Sequence, residues 1–179
     1  PWLNIAYKSQ LEIKQKQIEE SFFHLKKYQE NIDFLPIIAA PETFWYRNKI
    51  EFSFGKYISH RESIFQEFNV GFHKQGEFSK VEDYESCILI DEEQNQLYKK
   101  IKDFAKSSGL PVYDQKMWTW FWRHIMIRKM YFTGEILLVL SVYPQYFEDQ
   151  EDAVASFEKI KSFLKSLTQE FSHITSIYL

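Results

Sequence analysis

Cationic side chains on strand-like runs are the residues of this sequence best suited to chemistry with a partner. Arg47 and Lys49 lie in YRNKIEFSFG (46–55), His73 and Lys74 in FNVGFHKQG (68–76), and Arg123 and Arg128 in RHIMIRKMYF (123–132). A guanidinium offers a planar fork of donors that matches phosphate oxygens two at a time, and an ammonium adds a point charge. If those strands share a sheet, Arg47, Lys49, Arg123 and Arg128 form a stripe able to face a phosphate backbone. Parity limits the stripe: Arg47 and Lys49, two apart, share a strand face, whereas Arg123 and Arg128, five apart, need a bulge to do so. A solvated face with incidental ion pairs to Glu51 and Glu135 accounts for the same residues, and the net acidity favours that plainer account.

Other reactive types are sparse. His24, His60, His73, His124 and His173 are scattered, with no close helical pair to make a ready metal site. Cys87, in VEDYESCILID, reads by composition as a small buried hydrophobe. The run WTWFW (118–122) offers ring faces for unpaired bases, although core packing is the commoner use. No glycine-rich phosphate loop, HExxH, GxSxG or paired-cysteine motif occurs, so the chain alone is not expected to be a complete enzyme.

The elements that must position these residues follow from composition and pattern. With 179 residues, 45% hydrophobic and 18% aromatic, the chain is long enough for one well-cored domain and requires no second. A net charge of −3 argues against gripping nucleic acid through global charge, leaving only local clusters. One cysteine excludes an internal disulfide framework and no apolar run is long enough to span a bilayer, so a reducing, cytoplasmic setting is expected. The chain opens on proline and closes on an apolar Ile177-Tyr178-Leu179, which suggests a piece of a longer protein.

Apolar spacing predicts an amphipathic helix from Asn4 to about Tyr28. A strand carrying Ile50, Phe52 and Phe54 follows, weakened or bent at Gly55, with an antiparallel partner near Val70 and Phe72. Residues 91–109 read as a helix from acidic start to lysine-rich end, with Gly109 beyond it. Residues 123–132 and 134–143 read as a β-hairpin, 149–171 as a second strongly amphipathic helix, and HITSIYL as a terminal strand. The expected class is α+β around a largely antiparallel sheet with flanking amphipathic helices.

Four stretches, in this order, carry a resemblance: WLNIAYKSQLEIKQ, YRNKIEFSFG, VGFHKQGEFSKVEDYESCILI and FWRHIMIRKMYFTGEILLVLSVY. Together they resemble the central region of the S-adenosylmethionine-dependent RNA (uracil-C5-)methyltransferases, which make 5-methyluridine in tRNA and ribosomal RNA. The aromatic FWRH departs from the smaller apolar residues that many relatives carry before RH. The resemblance implies RNA as partner, held by Arg47, Lys49, Arg123 and Arg128; the charge distribution adds Lys74, on the second strand, as a further candidate RNA contact. It implies that Cys87 is a fourth ligand to a [4Fe-4S] cluster in members that carry one, its partners lying just before Pro1. It also implies a Rossmann domain beyond about Ser176, with S-adenosyl-L-methionine, a cysteine nucleophile and a carboxylate base. There a flipped uridine is attacked at C6, methylated at C5 and released after loss of the C5 proton. A non-catalytic RNA-binding or assembly module built on the same domain is the alternative.

Overall fold

The computed structural model describes residues 2–25, 32–59, 61–114 and 120–179. They fall into two compact units, Pro1–Thr43 and Phe44–Leu179. His60 and Trp118, considered above, lie outside the described residues.

In the first unit, helix α1 (Tyr7–Ser21) is shorter than its apolar spacing predicts and buries no residue. Ser21 Oγ donates to the Gln17 carbonyl at 2.7 Å, a local bond that competes with the ladder in the last turn. The Tyr7 hydroxyl accepts the Ala40 amide at 2.7 Å, tying the extended segment after the helix back to its start.

The second unit is a six-stranded mixed sheet with helices, an α+β fold. Its strands are β1 (Lys49–Ser59), β2 (Ile64–Lys74), β3 (Glu77–Asp83), β4 (Trp122–Lys129), β5 (Ile136–Val142) and β6 (Ile174–Tyr178). The spatial order is β3-β2-β1-β4-β5-β6, antiparallel except where β6 runs parallel to β5. That one parallel pair needs a crossover, which helix α3 (Gln150–Glu170) supplies. Helix α2 (Glu92–Ser107) links the two halves of the sheet. Both helices begin on an aspartate N-cap: Asp91 Oδ1 accepts the Gln94 amide at 2.9 Å and Asp149 Oδ1 the Glu151 amide at 2.7 Å.

One face of the sheet makes the core. Ile50, Phe52, Phe54, Ile125 and Ile127 pack with Leu97, Tyr98 and Ile101 of α2 and Ile160 and Leu164 of α3. The rings of Phe104 and Phe163 stack at 3.9 Å, joining the two helices. Tyr98 lies on Phe52 at 4.0 Å, and its buried hydroxyl reaches the carbonyls of Val70 (2.7 Å) and Tyr84 (2.8 Å). Burial pushes this phenol well above its ordinary range, so it stays a donor. Lys102, also buried, bonds Asp83 and Glu85, each at 2.8 Å, and caps the same corner.

The bend expected at Gly55 is present as a register shift between Gly55 and Tyr57, and β1 runs on to Ser59. Two features differ from the sequence reading. Strand β1 begins only at Lys49, so Arg47, read as part of it, lies before the strand. Strand β3 was not anticipated; it forms a tight hairpin with β2 around Gly76, whose φ of +80° suits glycine. Gly55 and Gly71 lie on the face opposite the core, and their missing side chains let β3 curl inward. A Cβ on Gly55 would stand 2.5 Å from Val81 Cγ2, and one on Gly71 would collide with the Glu82 carbonyl oxygen. A backbone oxygen cannot swing aside, so Gly71→Ala is expected to lower stability by about 1–3 kcal/mol in urea unfolding. Tyr98→Phe keeps the stack but removes one of two donors from each carbonyl, since Val70 O still accepts the Tyr84 amide and Tyr84 O the Lys102 ammonium, and is expected to cost about 0.5–1.5 kcal/mol in the same assay.

Candidate nucleic-acid interface

The pairing of β1 with β4 decides which side chains leave the core. Ile50 faces Ile127 and Phe52 faces Ile125, and these apolar pairs are buried. The alternate set, Lys49 with Arg128, Glu51 with Met126 and Ser53 with His124, therefore occupies the opposite face. Directly opposed side chains in an antiparallel pair stand about 5 Å apart at Cβ, so Lys49 and Arg128 concentrate two positive charges in one spot. Both are exposed, and among the described residues no carboxylate comes within ion-pair distance of either. Like charges opposed across a ladder weaken it, an arrangement that an external anion relieves.

Arg47 is exposed two residues before Lys49, outside the ladder. Its backbone amide donates to the Leu89 carbonyl at 2.8 Å, and the Trp45 amide to that of Ile88 at 3.1 Å. Trp45 holds a φ of +55°, unusual for a bulky residue, and the segment leaves Phe44, Trp45 and Tyr46 exposed beside the cation. An exposed aromatic run next to uncompensated Arg47, Lys49 and Arg128 is the combination suited to bases and phosphates together.

Arg123 reaches this face by a route that strand parity does not anticipate. The β4–β5 register slips between Trp122 and His124, so Arg123 is an extra residue in a bulge. Trp122 consequently stays in the core while His124 turns outward with Arg128. The Arg123 guanidinium lies over the Tyr113 ring, 4.2 Å from its centroid, and 6.0 Å from that of Trp120. The WTWFW run thus divides: Phe121 and Trp122 are wholly buried, and Trp120 packs against Tyr113 and Tyr143.

Lys74 stands apart from the Lys49–Arg128 pair. Its ammonium bonds the Tyr57 hydroxyl at 2.6 Å, Glu62 at 2.9 Å and Glu77 at 3.2 Å. Bonding from the Tyr57 hydroxyl, then Glu62, holds Lys74 charged well above the ordinary lysine range. The Lys74 and Tyr57 bonds in turn draw the Glu62 carboxyl down to about 2. The cluster is internally neutralised at any physiological pH.

Cys87 is buried, and its backbone is clamped at both ends by Asn95, which accepts from the Cys87 amide at 2.8 Å and donates to its carbonyl at 3.0 Å. Among the described residues no group of three or more His, Cys, Asp or Glu side chains is disposed to hold a metal. An iron-sulfur cluster typically takes four thiolates, and this sequence has one. The residues present therefore do not by themselves fit a cluster.

His124 is half-buried beside Ser53 Oγ at 3.4 Å and Glu51 at 3.7 Å. Burial lowers its pKa; Glu51 opposes the shift, whereas Arg123 and His73 add to it. A histidine whose folded pKa is depressed binds fewer protons than the unfolded chain below about pH 6.5, so stability falls as pH drops through that value. His124→Gln is expected to melt at the wild-type temperature at pH 7.5 and above it at pH 5.5, measured by thermal unfolding at both.

No protein-family model matches the chain. An uncharacterized RNA methyltransferase of Chlorobaculum tepidum is 34% identical over 135 residues, which cover 71% of this chain and 28% of that protein. Another from Bacteroides thetaiotaomicron is 30% identical over 98% of this chain and 38% of its own length. A Pyrococcus abyssi tRNA (uracil-54, C5)-methyltransferase, solved with S-adenosyl-L-homocysteine, shares the fold over 80% of this chain and 33% of its own, with a TM-score of 0.55 and 21% identity. The chain thus spans about a third of the length of the relatives it matches, and it is a distant homologue of RNA methyltransferases.

Proposed function

We propose that this chain is the RNA-positioning central region of an S-adenosylmethionine-dependent RNA uracil-C5 methyltransferase that makes 5-methyluridine in tRNA or ribosomal RNA. The observation that carries the reading is the uncompensated Lys49–Arg128 pair on the solvent face of a sheet whose other face is core. Arg47, just before β1, and Arg123, in the β4 bulge, add to the pair. Lys74 contributes only where it releases Glu62 or Glu77, so its role is marginal beside theirs. The chain acts as one central region, with methyl donor, nucleophile and base supplied by residues outside this sequence.

In that reaction the residues present bind and orient. Guanidinium and ammonium groups neutralise phosphates and fix the register of the RNA, which lowers the entropic cost of presenting one uridine to the reacting groups. S-adenosylmethionine, when bound elsewhere in the whole protein, supplies the methyl group. A role for Cys87 as a cluster ligand requires three thiolates from outside this sequence, and its clamped backbone is compatible with a fixed ligand position.

Methyl transfer from S-adenosylmethionine to unmodified tRNA and ribosomal RNA tests the reading, with nucleoside analysis for 5-methyluridine. Product is expected from the natively extended protein and none from this chain alone; no product from either, with RNA binding intact, would instead support a non-catalytic RNA-binding module. Lys49→Ala and Arg128→Ala are each expected to weaken RNA binding and to make the plot of log affinity against log salt shallower by about 0.7–0.9, the loss of about one phosphate contact. Unchanged slopes would leave the basic face a merely solvated surface.

A further inference from the structure

Beyond Ser53 and His124 the solvent face of the sheet ends in a cavity of about 420 Å³, lined by Gly55, His73, Phe78, Val81 and Tyr113 among others. That volume falls among sites that enclose a small molecule, roughly 300–1,000 Å³. Val81 packed on the bare Cα of Gly55 closes part of its floor. The imidazole of His73 lies on the Phe78 ring, with centroids 4.3 Å apart and planes within 6°, making a flat aromatic wall. Tyr113 carries the Arg123 guanidinium on its ring face at 4.2 Å, and among the described residues no carboxylate lies in ion-pair reach of that cation. Lys56, also at the cavity, is already paired with Glu67 at 2.7 Å and Asp114 at 3.1 Å.

One atom lacks what buried polar atoms normally have. His73 Nδ1 is buried and makes no hydrogen bond to the described residues. That nitrogen has almost no surface of its own, so a molecule in the cavity reaches it only when the His73–Phe78 stack shifts.

We propose that this cavity receives one unstacked nucleobase of the bound RNA. The base lies against the aromatic wall, its polar edge meets the His73 imidazole, and the adjoining phosphate meets Arg123. Proteins that read single-stranded RNA splay bases onto aromatic and guanidinium planes in this manner. The inference rests on the RNA-holding role of the basic face, and the two are continuous. Lys49 and Gly55 are six residues apart on β1, roughly 20 Å of strand, so a backbone engaged at the Lys49–Arg128 pair passes Ser53 and His124 on its way to the cavity.

The test compares a mixed-sequence single-stranded RNA, a ribose-phosphate oligomer of equal length without bases, and the common nucleoside 5′-monophosphates, by equilibrium titration. The base-bearing strand is expected to bind about tenfold or more tightly than the abasic one, the scale of one stacked base. Phe78→Ala is expected to remove most of that preference while leaving abasic binding unchanged. Phe78 is 80% exposed, so the substitution spares the core. His73→Phe, which keeps the stack and removes the ring nitrogens, is expected to reduce the preference in part. Equal affinity for both strands, with Lys49→Ala still weakening both, would overturn the base site and leave the basic face standing. No binding of either strand would overturn both. Monophosphates that bind as tightly as the strand, and are indifferent to Lys49→Ala, would make this a site for free nucleotides and overturn the RNA assignment.

Discussion

The antiparallel pairing of Lys49–Ser53 with His124–Arg128 is the constraint on which the rest of the second unit depends. It sits at the centre of the sheet and joins segments more than seventy residues apart in sequence. Because side chains alternate every residue, a slip of one position by β1 would send Ile50 and Phe52 to solvent and Lys49 into the core, and a slip by β4 would do the same to Ile125, Ile127 and Arg128. Burying those four side chains, each worth about 1.5–3 kcal/mol when fully removed from water, therefore fixes both the register and the position of the cations. The basic spot is a by-product of core packing, and it is held rigidly for that reason.

The rest of the architecture protects that pairing and shapes the ground around it. Tyr98 bridges α2 to the β2 and β3 side, with its ring on Phe52 and its hydroxyl on two backbone carbonyls. Two glycines on the solvent face let β3 curl over β1, and two bulges, one in β2 at Glu67–Phe68 opposite Lys56 and one in β4 at Arg123, interrupt alternation near the same place. Bulges redirect side chains at the cost of local ladder bonds. Here they frame the cavity between Tyr113 and the His73–Phe78 stack.

Charge is distributed with similar selectivity. Lys74, Lys102 and Lys129 are each engaged by two carboxylates, and Lys56 by Glu67 and Asp114. Those pairs staple loops and strand ends, whereas Arg47, Lys49, Arg123 and Arg128 have no such partner among the described residues. An acidic chain can thus present a locally basic face, because most of its lysines near acids are spent internally and the arginines on this face are not.

Much of this was legible in the sequence. The 2- and 3.6-residue periodicities, the acidic start and lysine-rich end of residues 91–109 and the Thr133-Gly134 turn located β1, β2, β4, β5, α2 and α3 and gave the α+β class, since each is a local signal. Strand β3 was missed because FSKVED is short and polar, and only pairing with β2 makes it a strand; Gly76 was the available signal. The sequence also put Arg47 and Lys49 on one strand, whereas β1 begins at Lys49 and leaves Arg47 before it, and it did not show that Arg128 faces Lys49 or that Lys74 is neutralised. Those facts depend on which strands meet and in what register, which is decided by burial between residues far apart in the chain. Arg123 is the clearest instance: its strand parity pointed away from Arg128, and the bulge that overrides parity exists because Trp122 is more stable in the core than on the surface.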